Sequence, residues 1–166
     1  MLSPLTEKGM TQIQLIVAIV LTGILSYMAL ANFGSSSVVI KRMSLAKKIV
    51  ADVRYAQEMA MSFRKSVVIT VDVQNDSYSI QWQSGGYLKT PIGGRDFIVD
   101  IPNSDFVGVD ITSTGFTGGQ LTFDSSGRPL NGGNPLAAAT ALAVLDGTTS
   151  VKILPVTGRC SIEAVP

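Results

Sequence analysis

The side chains that usually perform catalysis are scarce in this 166-residue chain. It contains no histidine, so neither a Ser-His-Asp nor a Cys-His arrangement can form, and the commonest metal ligand is missing. The single cysteine, Cys160, lies in an apolar, strand-like segment, a context that favours a buried structural thiol over a nucleophile. One cysteine also excludes an intrachain disulfide. The sequence therefore predicts a protein that is not an enzyme.

One acidic turn and two glycine pairs are the remaining candidates for a ligand site. Asp124, Ser125 and Gly127 resemble part of a calcium loop, but the ligand spacing of an EF-hand is absent. A carboxylate in a turn usually caps backbone amides instead. The glycine pairs at 93–94 and 118–119 lack the strand–glycine–helix context of a phosphate-binding loop and are predicted to be turns. No metal and no cofactor is expected.

The charge balance argues against a nucleic-acid partner. The net charge is +1, so no excess of positive charge spreads over the whole surface. Useful affinity for DNA would need several cations close together in the fold. The candidates are Lys89, Arg95, Arg128, Lys152 and Arg159. Separate, solvated charges are the favoured interpretation, with Arg159 in the C-terminal tail as the candidate DNA contact.

An apolar segment, residues 10–31, precedes everything that looks water-soluble. It has no charged side chain, and as a helix it is long enough to cross a hydrocarbon core of roughly 30 Å. Residues 1–9 are predicted to be a leader or a cytoplasmic stub, and Lys8 favours keeping this end in the cytoplasm. Ala29-Leu30-Ala31 would suit signal-peptide cleavage, although the apolar run exceeds the usual length of such peptides. The residues alone leave a cleaved signal peptide and a retained membrane helix open.

The helical pattern continues over residues 32–64. Glycine and serine at 32–37 lower helix propensity, so a bend there would be unsurprising. Apolar side chains then recur every three or four residues, as on one face of an amphipathic helix. They are Leu45, Ile49, Val53, Ala56, Ala60 and Phe63. One helix from about residue 10 to residue 64 is predicted, with this stripe facing a core.

From residue 67 the apolar period changes to two, which predicts short β-strands. The candidates are 67–73, 77–83, 96–102, 106–112, 120–126, 141–147, 150–156 and 160–165, with 87–89 as a further pairing segment. Residues 127–129 are predicted to be a turn, 131–135 a loop, and Asp146-Gly147 the turn of a last hairpin. Residues 136–141 are left open between helix and strand. The fold class is α+β: a long N-terminal helix packed against an antiparallel β-rich domain.

The junction at Lys8-Gly9 resembles the class III leader of type IV pilins and type II secretion pseudopilins. In that family a prepilin peptidase cuts after the glycine on the cytoplasmic side, the apolar helix stays on the mature protein, and the new N-terminus is methylated. The resemblance implies a cut between Gly9 and Met10 and methylation of Met10, which is followed by the usual threonine, Thr11.

The fifth mature position departs from the family. There the family nearly always has a glutamate, which neutralises the N-terminal amine of a neighbouring subunit, whereas this chain has Gln14. Gln14 can accept a hydrogen bond from an amine but carries no charge. The resemblance implies that subunits without this glutamate can sit at a filament tip, where no subunit lies ahead. A polar residue merely tolerated in a membrane helix is the alternative, and both stay open.

Three later motifs are similar to the GspH/FimT group of minor pseudopilins and minor pilins. They are a D-x-R-x-A-Q-x-x-A segment at the helix end, an F-x-x-x-G turn and a terminal G-R strand. The matching residues are Asp52, Arg54, Ala56, Gln57 and Ala60; Phe123 and Gly127; and Gly158-Arg159. The missing cysteine pair also differs from typical type IVa major pilins. The resemblance therefore implies a pilin-like fold and a minor subunit.

The expectation is a minor pilin or pseudopilin, a structural subunit of a type IV pilus or type II secretion filament. Residues 1–9 would be the leader, 10–31 the transmembrane and assembly half of the helix, 32–64 its amphipathic half, and 65–166 the β-rich domain. The implied partners are prepilin peptidase, the inner membrane and other pilin subunits. The chain would cross the inner membrane once with its C-terminal domain in the periplasm, and later enter a periplasmic or surface filament.

Two alternatives remain open. One is a secreted β-rich binding domain, released by cleavage after Ala31. The other is a DNA-binding minor pilin for DNA uptake, for which Arg159 is the candidate contact.

Overall fold

The computed structural model describes residues 12–165, except for the side chains of residues 28–37. Over this part, the protein has the α+β class that the sequence predicts, with a long helix followed by short strands in two antiparallel sheets. The strands are β1 Val67–Asp72, β2 Ser77–Trp82, β3 Ile98–Asp100, β4 Ile111–Ser113, β5 Gln120–Phe123, β6 Pro129–Asn131, β7 Asn134–Pro135, β8 Thr140–Leu145, β9 Thr149–Ile153 and β10 Cys160–Ala164. The chain divides into two compact units, Met1–Ser37 and Val38–Pro166.

Helix α1, Gln12–Phe63, is 52 residues long. Its start, predicted near residue 10, lies outside the described residues. Residues 32–37 remain helical despite their glycine and serine content. The helix ends where Arg64 adopts a φ of 50° and the Lys65 N–H donates to the Ala60 carbonyl at 3.1 Å, as in a Schellman motif. The predicted C-terminal end near residue 64 is therefore confirmed.

The predicted apolar stripe faces the core. Leu45, Ile49, Val53, Ala56 and Ala60, which we call the α1 stripe, are each at most 3% exposed. They join residues of both sheets in one hydrophobic cluster. Phe63 was predicted to extend the stripe, and this is wrong, because the last residue of α1 is 58% exposed. Its ring packs edge-on against Trp82, with the centroids 5.6 Å apart.

The larger sheet has six strands in the order β3-β2-β1-β5-β6-β7, and every pair is antiparallel. The two-residue alternation of β1 places Val67, Ile69 and Val71 in the core cluster with the α1 stripe. Val68 and Thr70 consequently lie on the opposite face of the sheet.

The smaller sheet has the order β10-β9-β8-β4. The predicted hairpin of β8 and β9 is confirmed. Asp146 and Gly147 have φ values of 48° and 65°, and the Thr148 N–H donates to the Leu145 carbonyl at 3.0 Å, as in the type I′ turn that Asp-Gly favours. Asp146 also pairs with Arg42 of α1 at 3.3 Å, which ties this hairpin to the helix.

The predicted turn and loop at 127–135 are wrong in part. Residues 129–131 and 134–135 form β6 and β7, which extend the larger sheet beside β5. Pro129 is tolerated because it is the first residue of its strand. The pattern of glycine, proline and asparagine predicts turns from local preference alone, whereas hydrogen bonding to β5 makes residues 129–131 a strand, with which β7 then pairs.

The predicted strand at 106–112 is also largely wrong. Only β4 forms there, because the Val109 N–H bonds to the Phe106 carbonyl and Gly108 has a φ of 90°, which curls the chain before Ile111. Residues 87–89 pair through single bridges rather than as a strand. Residues 136–139, which the sequence left open, are irregular and lead into β8.

Candidate assembly segment and helix–sheet junction

The N-terminal part of α1, residues 12–27, presents apolar side chains to its surroundings. Every side chain over this range is exposed, with Ile13 at 73% and Leu25 at 67%, and none is charged. The Thr22 hydroxyl donates to the Ala18 carbonyl, and the Ser26 hydroxyl to the Thr22 carbonyl, each at 2.7 Å. These two hydroxyl donors are thus satisfied within the helix, which lowers the cost of placing them in apolar surroundings.

Among the residues that the structure describes, no helix is both long and apolar enough to cross a membrane. The predicted span at 10–31 lies partly outside those residues, since positions 10 and 11 and the side chains of 28–31 are not described.

The predicted processing site also lies outside the described residues, because it consists of Gly9 and Met10. Gln14 lies in the first turn of α1 with its side chain exposed. Cleavage, methylation and the contribution of Gln14 to assembly therefore stay predictions.

The three sequence motifs at 52–60, 123–127 and 158–159 meet at one place, where α1 contacts two turns of the sheets. Gln57 is the centre of this junction. Its side-chain amide nitrogen donates to the Gly127 carbonyl at 2.7 Å and to the Thr157 carbonyl at 2.8 Å. One side chain on α1 thereby holds both the β5–β6 turn and the β9–β10 loop.

The glycines of these motifs are required by close packing. Gly127 has a φ of 79°, and a Cβ atom there would lie 2.8 Å from Cγ and Sδ of Met61. Gly158 has a φ of 66°, and a Cβ atom there would lie 2.8 Å from Nε2 of Gln57 and from Cε1 of Phe123. A larger residue at either position would force the side chains of Met61, Gln57 or Phe123 to move, so these motif glycines mark a close packing contact between α1 and the sheets.

Cys160 is the first residue of β10 and follows Gly158 of the junction by two positions. Burial raises the pKa of its thiol to about 11, although the positive charge of Arg54 acts in the opposite direction. The thiol is therefore protonated near neutral pH and a poor nucleophile. Its sulfur contacts the Gly158 carbonyl at 3.9 Å, in keeping with the predicted structural thiol.

Asp52, the first residue of the helix motif, bonds to a buried tyrosine. The Tyr78 hydroxyl of β2 donates to the Asp52 carboxylate, and Lys48 pairs with the same oxygen at 2.8 Å. Burial raises the pKa of Tyr78 well above its ordinary value of 10.0, and the charge of Asp52 and the hydrogen bond act in the same direction. The tyrosine is thus a neutral donor that joins α1 to the larger sheet.

Asp124 caps the turn that follows β5. Its Oδ1 accepts hydrogen bonds from the Ser126 N–H, the Ser126 hydroxyl and the Arg128 N–H. Burial would raise the pKa of Asp124, but these hydrogen bonds and the charge of Arg128 lower it overall. No group of three or more potential metal ligands occurs within residues 12–165. The three hydrogen bonds that Asp124 accepts stabilise the turn.

The basic residues considered for DNA divide into paired and unpaired ones. Lys89 pairs with Asp96 at 2.6 Å and Lys152 with Glu163 at 2.7 Å. Arg159 is exposed, and its side chain forms no ion pair with the described residues. Two of the five candidate cations are thus neutralised locally, which weakens the case for a phosphate-binding surface.

The sequence analysis missed Met61 and Thr157 of the junction and Tyr78, the partner of Asp52. In the sequence, Tyr78 is an ordinary member of the alternating pattern of β2, and no neighbouring residue marks it as the partner of Asp52. Thr157 contributes only a backbone carbonyl, which any residue supplies.

No protein-family model, curated protein or solved structure matches the chain.

Proposed function

We propose that the protein is a minor pilin or pseudopilin, a structural subunit of a type IV pilus or type II secretion filament. The observation that carries this proposal is α1. Its residues 12–27 expose uncharged, mostly apolar side chains at every position, whereas the α1 stripe further along is buried in a β-rich core. The exposed apolar part gains stability only where lipid or other apolar helices replace water.

In this proposal the mechanism is assembly and the protein has no enzymatic activity. The chain is cut after Gly9, methylated at Met10 and held in the inner membrane by residues 10–31, with the β-rich domain in the periplasm. The apolar helices of several subunits then bury against one another in a filament. The β-rich domain presents its surface to neighbouring subunits.

Gln14 supports a minor, tip-proximal or initiating subunit over a bulk one. A charged amine is costly to bury without a counter-ion, and Gln14 supplies a hydrogen-bond acceptor but no negative charge. Contact with the N-terminal amine of another subunit is therefore weaker than through a glutamate. A subunit at the filament tip has no subunit ahead of it, so it loses no such contact when Gln14 replaces the glutamate.

The experiment is intact-mass measurement of the mature protein, after co-expression of the full chain with a prepilin peptidase. We expect a species that begins at Met10 and carries one methyl group on its amine. A Gly9→Val variant is the matched control and should keep the full leader, because the peptidase reads the glycine.

A mature species that begins at Asn32 would overturn the proposal in favour of the secreted domain. Such a cut falls inside α1, which runs from Gln12 to Phe63. For the DNA-binding alternative, the ion pairs of Lys89 and Lys152 leave fewer free cations for phosphate groups. A DNA-binding assay tests this alternative, and absence of binding at low salt would exclude it.

A further inference from the structure

A groove crosses the outer face of the six-stranded sheet, on the side away from the α1 stripe. Ile69, Ile80 and Leu121 are at most 1% exposed and belong to the core cluster. The residues next to them in the strands, Val68, Gln81 and Thr122, consequently project from the outer face.

The floor of the groove is a row of four residues paired across neighbouring strands. Val68 of β1 is paired with Gln81 of β2 and with Thr122 of β5, and Thr122 is paired with Leu130 of β6. With about 4.8 Å between strands, this row is about 14 Å long. Gln120, the next outward residue of β5, widens the floor.

Loops close the two ends of the row. Gln83 and Gly85 follow β2 at one end, and Gly132 and Gly133 follow β6 at the other. The Thr117 N–H donates to the Asn131 side chain at 2.8 Å, which holds the second loop beside the 3₁₀ turn Thr117–Gly119. The cavity has a volume of about 390 Å³, within the roughly 300–1,000 Å³ of small-molecule sites.

The lining is polar but uncharged. Three glutamine amides and two threonine hydroxyls reach it, from Gln81, Gln83, Gln120, Thr117 and Thr122, and no ionisable side chain does. None of these five side chains hydrogen-bonds to another described residue. Each amide offers two donors and an acceptor, and each hydroxyl offers both functions. The groove therefore holds many unused hydrogen-bonding positions of both kinds.

The uncharged amides and hydroxyls of the lining favour some classes of ligand over others. A phosphate, a nucleic acid or an acidic peptide would need cations that the lining lacks. A lipid chain would need a continuous apolar surface, but Val68 and Leu130 stand among amides and hydroxyls. An extended peptide adds to a sheet through the backbone groups of an edge strand, whereas this groove lies on the face. A neutral sugar carries adjacent hydroxyls that both donate and accept, which matches paired amides.

We propose that the groove binds a neutral oligosaccharide, oriented by Gln81, Gln120 and Thr122. The proposal does not depend on filament assembly, since every residue of the groove lies between Val68 and Gly133.

Trp82, the only tryptophan of the chain, lines the groove and serves as the reporter. The full chain, in a detergent without a sugar headgroup, is titrated with chitotetraose, cellotetraose and maltotetraose while tryptophan emission is recorded. We expect a saturable change with at least one of the three. Gln81→Leu and Gln120→Leu should each weaken that binding about 3- to 10-fold, the effect of one lost hydrogen bond.

Gln74→Leu is the matched control, because Gln74 is exposed in the β1–β2 turn, and it should bind as the unchanged chain does. Thermal unfolding of each variant checks that the fold is kept. The proposal is overturned if no tetrasaccharide gives a saturable change up to about 10 mM. It is also overturned if the groove variants bind like Gln74→Leu, or if a heparin tetrasaccharide or a neutral peptide binds more tightly than the neutral sugars.

Discussion

Gln57 shows how a single polar side chain can organise a helix–sheet contact. It satisfies two carbonyl groups from turns that lie far apart in the sequence, and Gly158 leaves the space that its amide occupies. Gly127 is buried, and a buried carbonyl without a partner is destabilising, so the amide of Gln57 contributes through the Gly127 carbonyl that it satisfies as well as through its own bonds.

Replacing Gln57 by methionine should lower the free energy of unfolding by about 1–2 kcal/mol, because the Gly127 and Thr157 carbonyls lose their donor. The measurement is denaturant unfolding of the full chain in detergent, followed by Trp82 fluorescence. Glu58→Met, at the exposed neighbouring position, is the control and should change stability little. If both variants lost the same free energy of unfolding, the hydrogen bonds of Gln57 would contribute nothing to stability.

The raised pKa of Tyr78 makes the free energy of unfolding depend on pH in the alkaline range. Its pKa in the folded protein is raised, so above about pH 10 the unfolded chain releases the phenolic proton while the folded chain keeps it. The unfolded state then binds fewer protons, and the free energy of unfolding falls as pH rises.

Tyr78→Phe should destabilise the protein by about 1–2 kcal/mol at neutral pH, since Asp52 loses a hydrogen bond. The difference between the two proteins should shrink above about pH 10, where only the tyrosine protein loses stability from this group. Unfolding free energies measured across this range test the prediction, and a difference that stays constant would contradict it.

At the scale of elements, the end of α1 carries backbone strain. Arg64 is the residue after the helix and has a φ of 50°, a conformation that glycine adopts at less cost than arginine. The Lys65-to-Ala60 hydrogen bond holds it there and sets the direction in which the chain enters β1.

Arg64→Gly should therefore raise the free energy of unfolding by about 0.5–1 kcal/mol, because the strain is relieved at an exposed position. The same change inside the helix, Lys47→Gly, should lower it by about 1 kcal/mol. Denaturant unfolding of both variants distinguishes the two positions. A lower free energy of unfolding in both variants would mean that the helix does not end at Phe63.

For the whole molecule, the core belongs to one of the two compact units. All buried hydrophobic residues of the described chain fall between Leu45 and Ile153, inside the unit Val38–Pro166. The side chains of residues 12–27, which belong to the other unit, are all exposed.

A fragment of residues 38–166 should fold alone and unfold cooperatively without detergent, with the Trp82 emission of the full chain. Its midpoint of thermal unfolding should lie within a few degrees of that of the full chain, because every buried hydrophobic residue of the described chain lies within the fragment. Calorimetry and fluorescence test this. A fragment without a cooperative transition would show that the first 37 residues contribute to the core.

Several features follow from the sequence because they depend on neighbours within a few residues. The α1 stripe is visible as a three- to four-residue period, β1 and β2 as alternation, and the β8–β9 turn as Asp146-Gly147. Even so, Phe63 fits the stripe by spacing and is exposed, because periodicity does not say where the sheet beneath a helix ends.

Other features were decided only by the tertiary structure, because they depend on which distant segments lie side by side. β5 pairs with β6, and β6 with β7, so part of the predicted turn and loop at 127–135 forms strands. β1 pairs with β5 as well as with β2. The outer groove exists only because the same pairing lines up Gln81, Val68 and Thr122. The motif residues around Gln57 are readable in the sequence as separate patterns, but their meeting at one junction is set by the packing of α1 against both sheets.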